Sequence, residues 1–198
     1  MQKRAIETRE HILQTAQLLF ASEGYDATGV AEICQRAGVS KGAFYHHFPT
    51  KQAVFMALLN EWLAGLNAQM KTLLDQAGSI PQGLIDMARV SHEVFRSAKG
   101  QLPMFLEFWH ESGHDPAVWK ATIEPYRHYT DLFAGVIRQG IEEGALRAVE
   151  PQQAARVVVA LALGLVLQGV MDPEGAAWDE VAQQGMQFLI DGLARRNE

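Results

Sequence analysis

The sequence predicts an all-α fold of about nine helices. Apolar residues recur three and four apart in every periodic segment, which lines one face of a helix. No run alternates apolar and polar residues between hairpin signals, so no strand is expected. Proline, glycine and hydroxyl residues also stand where helices start and stop. On this reading residues 1–50 form a three-helix head and residues 51–198 a helical body.

The elements follow in order. A first helix is expected from Thr8 to Glu23, with Ile12, Ala16, Leu19 and Phe20 on one face and Gly24 as its stop. Two short helices joined by a tight turn come next. Thr28 is placed to cap the first of them, and Val30, Ile33, Cys34 and Ala37 give it one apolar face. Gly38 stands where a left-handed residue ends a helix, and Ser40 caps the next helix almost at once. Phe44 and Phe48 anchor that helix to a core, and Pro49 limits its extension. Its opposite face carries Gly42, Ala43, Tyr45 and His46, flanked by Lys41 and His47. A short polar helix of this kind is suited to the major groove of DNA.

Thr50 caps a long fourth helix that fades into a linker at Gln76–Ser79. Pro81 opens a helix to about Lys99, Gly100 stops it, and residues 102–111 form a short aromatic helix. Asp115-Pro116 starts the next, with proline at the first helical position; it runs to about Glu143, with a kink expected at Pro125. Glu150-Pro151 opens a helix so apolar from Val157 to Val170 that burial on most sides is expected. The segment 172–175 breaks it, and an amphipathic helix closes the chain from Trp178 to Ala194.

Composition excludes whole classes. With 48% hydrophobic and 20% charged residues the chain is neither disordered nor of low complexity. The N-terminus lacks an apolar signal segment, and the most apolar run, Val157 to Leu167, is about half the roughly 20 residues of a membrane span. A single cysteine excludes an intrachain disulfide and fits a cytoplasmic protein. Cys34 lies on an apolar face, so it reads as a packed thiol rather than a redox sensor. The net charge of −6 is unevenly spread: six basic and five acidic residues up to Lys51 leave +1 there and −7 beyond. That sign suits a DNA-binding head on an acidic body.

The stretch Thr8–Phe55, and above all AGVSKGAFYHHFPTK, resembles the TetR/AcrR (tetracycline-repressor) family of bacterial regulators. FLEFWHESGHDPAVW, YRHYTDLF and GIEEGAL are similar to C-terminal domains in one broad subset of that family. The resemblance implies a ligand-responsive regulator, a repressor, that binds a palindromic operator as a homodimer and is released by a small-molecule effector. It implies no cofactor, no metal and no catalysis. Carried over by position, it places Thr28 at a helix N-terminus facing a phosphate. Ser40, Lys41, Gly42, Ala43 and Tyr45 fall where the recognition helix meets bases and backbone, and His46, His47 and Lys51 beside phosphates. Lys41 would meet a guanine edge, Ala43 a thymine methyl, and Tyr45 bases or backbone. Ala43 stands where many relatives have threonine, which removes one hydrogen bond.

The implied effector pocket draws its candidates from Trp62, Leu66, Met87, Val90, Ser91, Phe105, Phe108, Trp109, Trp119, Tyr126 and Tyr129. Their aromatic character suits an aromatic or amphipathic ligand, although the same stripe also reads as plain core. For pairing, small residues among Val and Leu permit close helix contact: Val157, Ala160, Gly164 and Leu167, with Met186, Leu189 and Leu193 on the last helix. That apolar helix reads equally as central core. A competing signal is HESGH at 110–114, which matches the H-E-x-x-H pattern of zinc hydrolases. Gly113 and Asp115-Pro116 interrupt the helix the pattern requires, and no third ligand follows in a defined arrangement.

Overall fold

A computed structural model of the chain describes residues 2–88 and 116–194. Among the described residues there are eight helices: α1 (Gln2–Glu23), α2 (Val30–Arg36), α3 (Lys41–His47), α4 (Lys51–Gln76), α5 (Ile80–Met87), α6 (Pro116–Glu142), α7 (Pro151–Met171) and α8 (Trp178–Leu193). No strand is present among them; Leu146 and Ala194 form one isolated antiparallel bridge, with the Arg147 N–H donating to Leu193 O at 2.9 Å. The chain divides into two compact units. Described residues 2–65 and 116–118 belong to the first, and 66–88 and 119–194 to the second. The first unit thus continues past the expected boundary at 50 to Gly65, because Val54, Phe55, Leu58 and Leu59 of α4 are buried in its core.

That core explains why the head forms. Ile12, Ala16, Leu19 and Phe20 of α1, Ile33 and Cys34 of α2, and Phe44 of α3 are buried with the α4 residues. Tyr25 joins Phe20 and Phe55 with ring centroids 5.2 and 5.5 Å away, in the tilted and edge-on arrangements aromatic rings favour. Cys34 is packed here, as its apolar face requires. The short helices are held at their ends. Gly38 has φ +63°, its N–H donates to Gln35 O, and the Val39 N–H donates to Cys34 O at 3.0 Å, which satisfies the last carbonyls of α2. Ser40 Oγ accepts from the Ala43 N–H at 3.1 Å, and Thr50 Oγ1 from the Ala53 N–H at 3.0 Å.

One cap differs from expectation. Thr28 does not cap α2: Gly29 occupies that position without a side-chain bond. Thr28 is fully buried, and its hydroxyl donates to Gly24 O at 2.8 Å. Threonine hydroxyls reach a carbonyl four residues back as readily as a forward N–H, and here the α1–α2 turn supplies that carbonyl.

The second unit has its own core, built from Ile80, Leu84 and Met87 of α5, Phe133 and Ile137 of α6, Val158 and Val159 of α7, and Met186 and Ile190 of α8. Ser79 caps α5, accepting from the Gln82 N–H, and α5 ends at Met87. The rest of the segment expected to reach Lys99, and the expected helix at 102–111, lie outside the described residues. α6 runs through Pro125 as one element. Glu150 caps α7 with both carboxylate oxygens, accepting from the N–H groups of Gln152 and Gln153 at 3.2 and 2.6 Å.

α7 corrects two expectations. It is long and apolar enough to cross a bilayer by length and composition alone, with a mean hydropathy of 2.0 over its best window. It is also not buried on most sides. Ala155, Val158, Val159 and Leu165 enter the core, whereas Val157, Leu163, Leu167 and Met171 are exposed. Apolar residues on every face leave the sequence without a pattern that distinguishes inside from outside.

Two glycines in the helix pair make opposite predictions. A Cβ at Gly38 would touch nothing within 4 Å, so Gly38→Ala is opposed by its left-handed backbone alone and should lower stability by about 1 kcal/mol. At Gly42, inside α3, a Cβ would meet only Ser40 Oγ at 3.8 Å, so Gly42→Ala should raise stability by up to about 1 kcal/mol. Urea-unfolding midpoints of the two variants check both signs.

Candidate functional site

The recognition face is the exposed side of α3. Phe44 turns inward with no exposed surface, so its neighbours on the helix must turn outward. Lys41, Gly42, Tyr45 and His46 are exposed, and Ala43 and His47 are half-buried. Tyr45, 53% exposed, stands edge-on to Phe44 with ring centroids 5.4 Å apart, which steadies its ring while the hydroxyl stays in solvent. His46 and His47 meet edge to face, 5.1 Å apart. The structure therefore brings Lys41, Gly42, Ala43, Tyr45, His46 and His47 onto one short helix, with Ser40 at its start.

Two candidates are placed differently. The buried Thr28 side chain has no surface to offer a phosphate. Lys51 is held within the head: its Nζ donates to Tyr25 O at 2.7 Å, reaches Asp26 O at 3.5 Å, and lies 4.1 Å from the centre of the Tyr25 ring. This combines a charge-assisted hydrogen bond with a cation–π contact, so Lys51 ties the start of α4 to the α1–α2 turn. The spacing of α4 could not reveal this, because Tyr25 is brought beside Lys51 only when the core closes.

The charge of the face follows from pairing elsewhere. Arg36 lies 3.6 Å from Glu23 and 3.7 Å from Glu32, and Arg9 pairs with Glu61 at 3.2 Å while its guanidinium sits 5.4 Å from the Phe48 ring. Lys41 has no ion pair among the described residues, so its charge is available to a polyanion.

In the second unit α5–α8, with Met70 of α4, enclose a cavity of about 100 Å³. Met70, Met87, Phe133, Val158, Leu165 and Met186 are among its walls, and every described lining residue is apolar. Among the described residues, Met87 is the one expected pocket residue that lines it. Leu66 is buried, and Trp62 is half-buried against the first core. Trp119 and Tyr126 are exposed on α6. Tyr129 packs against the second core with its hydroxyl buried and unpartnered, and burial pushes its pKa up to about 12. Val90, Ser91, Phe105, Phe108, Trp109 and the HESGH stretch lie outside the described residues. Among the described ones no group of three potential metal ligands occurs.

The expected pairing surface is also partly redrawn. Val157, Ala160 and Leu167 are exposed on α7, Gly164 and Leu189 are half-buried, and Met186 and Leu193 belong to the core. Phe188, 73% exposed on α8, and Leu163 and Met171 on α7 were not anticipated. The sequence carried no signal for them, since Phe188 is followed by Leu189 and Ile190 and α7 is apolar on every face.

Comparison with known proteins agrees with this geometry. Residues 12–58 match the family model described as bacterial regulatory proteins, tetR family. Residues 88–194 match that of the BetI-type transcriptional repressor, C-terminal. The chain is 23% identical over 194 residues to the HTH-type transcriptional regulator UidR of Escherichia coli (strain K12), covering 98% of this chain and 96% of the relative. It is 25% identical over 189 residues to the HTH-type transcriptional repressor KstR2 of Rhodococcus jostii (strain RHA1), covering 94% and 91%. Among solved structures, a transcriptional regulator from Saccharomonospora viridis in complex with choline shares the fold, with a TM-score of 0.77, 22% identity, and coverage of 96% and 99%. With a capped recognition helix at its N-terminal end and a matching helical C-terminal half, the chain belongs to the TetR family of DNA-binding transcriptional regulators.

Proposed function

We propose that the chain acts as a homodimeric repressor whose two α3 helices enter successive major grooves of a palindromic operator. The observation that carries this reading is the apolar surface on α7 and α8: Val157, Leu163, Leu167, Met171 and Phe188 are all more than a third exposed. A surface of that kind is unfavourable in water and suits a second copy of the same helices. The family relationship supports pairing of this type, and the weak charge of a single head makes it necessary. With Arg9 and Arg36 paired internally, each head offers few cations to phosphate, so two heads must contribute together.

Within this reading Lys41 is the base reader of α3 and Tyr45 its partner. Lys51 acts by holding α4 to the α1–α2 turn rather than by meeting phosphate. A small-molecule effector bound in the helical body lowers operator affinity. Coupling between such sites is usually worth about 1–3 kcal/mol, so the free protein must lie close to its DNA-competent form. The zinc-hydrolase alternative rested on HESGH alone, and nothing in the comparisons supports it.

Fluorescence anisotropy with DNA from upstream of the coding sequence tests the reading; no saturable binding at low salt would refute it. Lys41→Ala should cost about 1–3 kcal/mol at the operator and relax preference at one guanine per half-site. Lys51→Met should lower the melting temperature of the head while sequence preference and the salt slope stay as they are. A slope that falls by about 0.9 per protomer would instead identify Lys51 as a phosphate contact. Leu167→Glu, which places a charge in the middle of the apolar surface, should yield monomers in sedimentation velocity at micromolar concentration and abolish operator binding.

A further inference from the structure

The cavity in the second unit has a chemistry that restricts its occupant. Its volume is about 100 Å³, and every described residue lining it is apolar. A cationic ligand such as the choline bound by the Saccharomonospora viridis regulator would lose its hydration there. The described walls offer a single aromatic ring, Phe133, and no carboxylate in return. An engineered apolar cavity of about 150 Å³ takes up benzene, so one of about two-thirds that volume suits at most one ring or a short chain. Met70, Met87 and Met186 stand in the wall, and their unbranched side chains re-pack around different shapes.

Two buried polar atoms belong to helices that line the cavity. Tyr129 is one helical turn before Phe133 on α6, and Asn67 is three residues before Met70 on α4, so each shares a face with a lining residue. The Tyr129 hydroxyl and Asn67 Oδ1 are both buried without a hydrogen-bond partner. The phenol is protonated at neutral pH and so is a donor, and the amide oxygen is an acceptor. A hydroxyl group is the complement of that pair, since it accepts from one and donates to the other.

We propose that the effector of this regulator is an uncharged molecule with a short alkyl chain or a single ring and one hydroxyl. The apolar part occupies the methionine-lined cavity, and the hydroxyl lies between Tyr129 and Asn67. This rests on the reading that the helical body holds an effector.

The test uses the full-length chain, with straight-chain alcohols from 1-butanol to 1-octanol, phenol, benzene and choline as probes in calorimetry and thermal shift. Affinity should rise about fourfold per methylene and then level off where the chain fills the cavity. Choline should produce no shift. Tyr129→Phe should weaken phenol and the alcohols about five- to tenfold and leave benzene unchanged, a split that a merely structural role would not produce. Ala88→Leu, with Ala182→Leu as a second filling variant, should weaken every probe while operator binding shows that the variant is folded. Tighter binding of choline than of 1-hexanol, or an equal effect of Tyr129→Phe on phenol and benzene, would overturn the assignment. Operator release by choline would leave the effector reading standing and remove this ligand class. Alcohol binding in the expected pattern with unchanged operator affinity would do the reverse.

Discussion

The burial of Phe44 is the constraint on which the head depends. α3 has seven residues, and a helix that short has no stability of its own in water. It persists because Phe44 has no exposed surface among Ile12, Ile33, Phe55 and their neighbours, and because Ser40 holds its first turn. Fixing Phe44 inward turns Gly42 and Tyr45 outward, since side chains one and two positions away lie on other faces, and Lys41 is exposed at the first turn of the helix. The recognition surface is therefore a by-product of core packing. α2 and the first half of α4 are required as walls of that core more than as contacts to DNA.

The second organising feature of the head is electrostatic restraint. Arg9 and Arg36 are paired to carboxylates, and Lys51 is committed to the Tyr25 carbonyl and ring. Exposed pairs of this kind add little to stability, but they remove positive charge from the surface seen by DNA. With Arg9 and Arg36 engaged, Lys41 on the exposed side of α3 is left without an ion pair among the described residues.

The body solves a different problem. α7 is apolar on all sides, so it serves both an interior and an exterior at once: Val158 and Leu165 lie in the core, and Leu167 and Met171 lie on the surface. Glu150 holds its N-terminus by two hydrogen bonds, which sets where the helix begins. The methionines at 70, 87 and 186 leave an interior that is packed yet deformable.

How much of this was legible differed between head and body. The caps at Ser40 and Thr50 and the turn at Gly38 were readable from sequence because each works through neighbours at most four residues away, and the anchors Phe44 and Phe48 because their spacing of four marks one apolar face. Thr28 was misread at the same range, since its hydroxyl had two local partners to choose from and the turn geometry decided for Gly24 O. The bond from Lys51 to the Tyr25 carbonyl was not legible, because the two residues stand twenty-six apart in the chain. In the body, periodicity located the helices but not their faces, so Met186 and Leu193 were expected at the surface and Phe188 was overlooked. The sequence by itself determined the described helices, several of their caps and the polar face of α3, all set by local hydrogen bonding and spacing. Tertiary structure alone decided which apolar residues face the core, the cavity or solvent, because burial depends on residues that meet only when the chain closes.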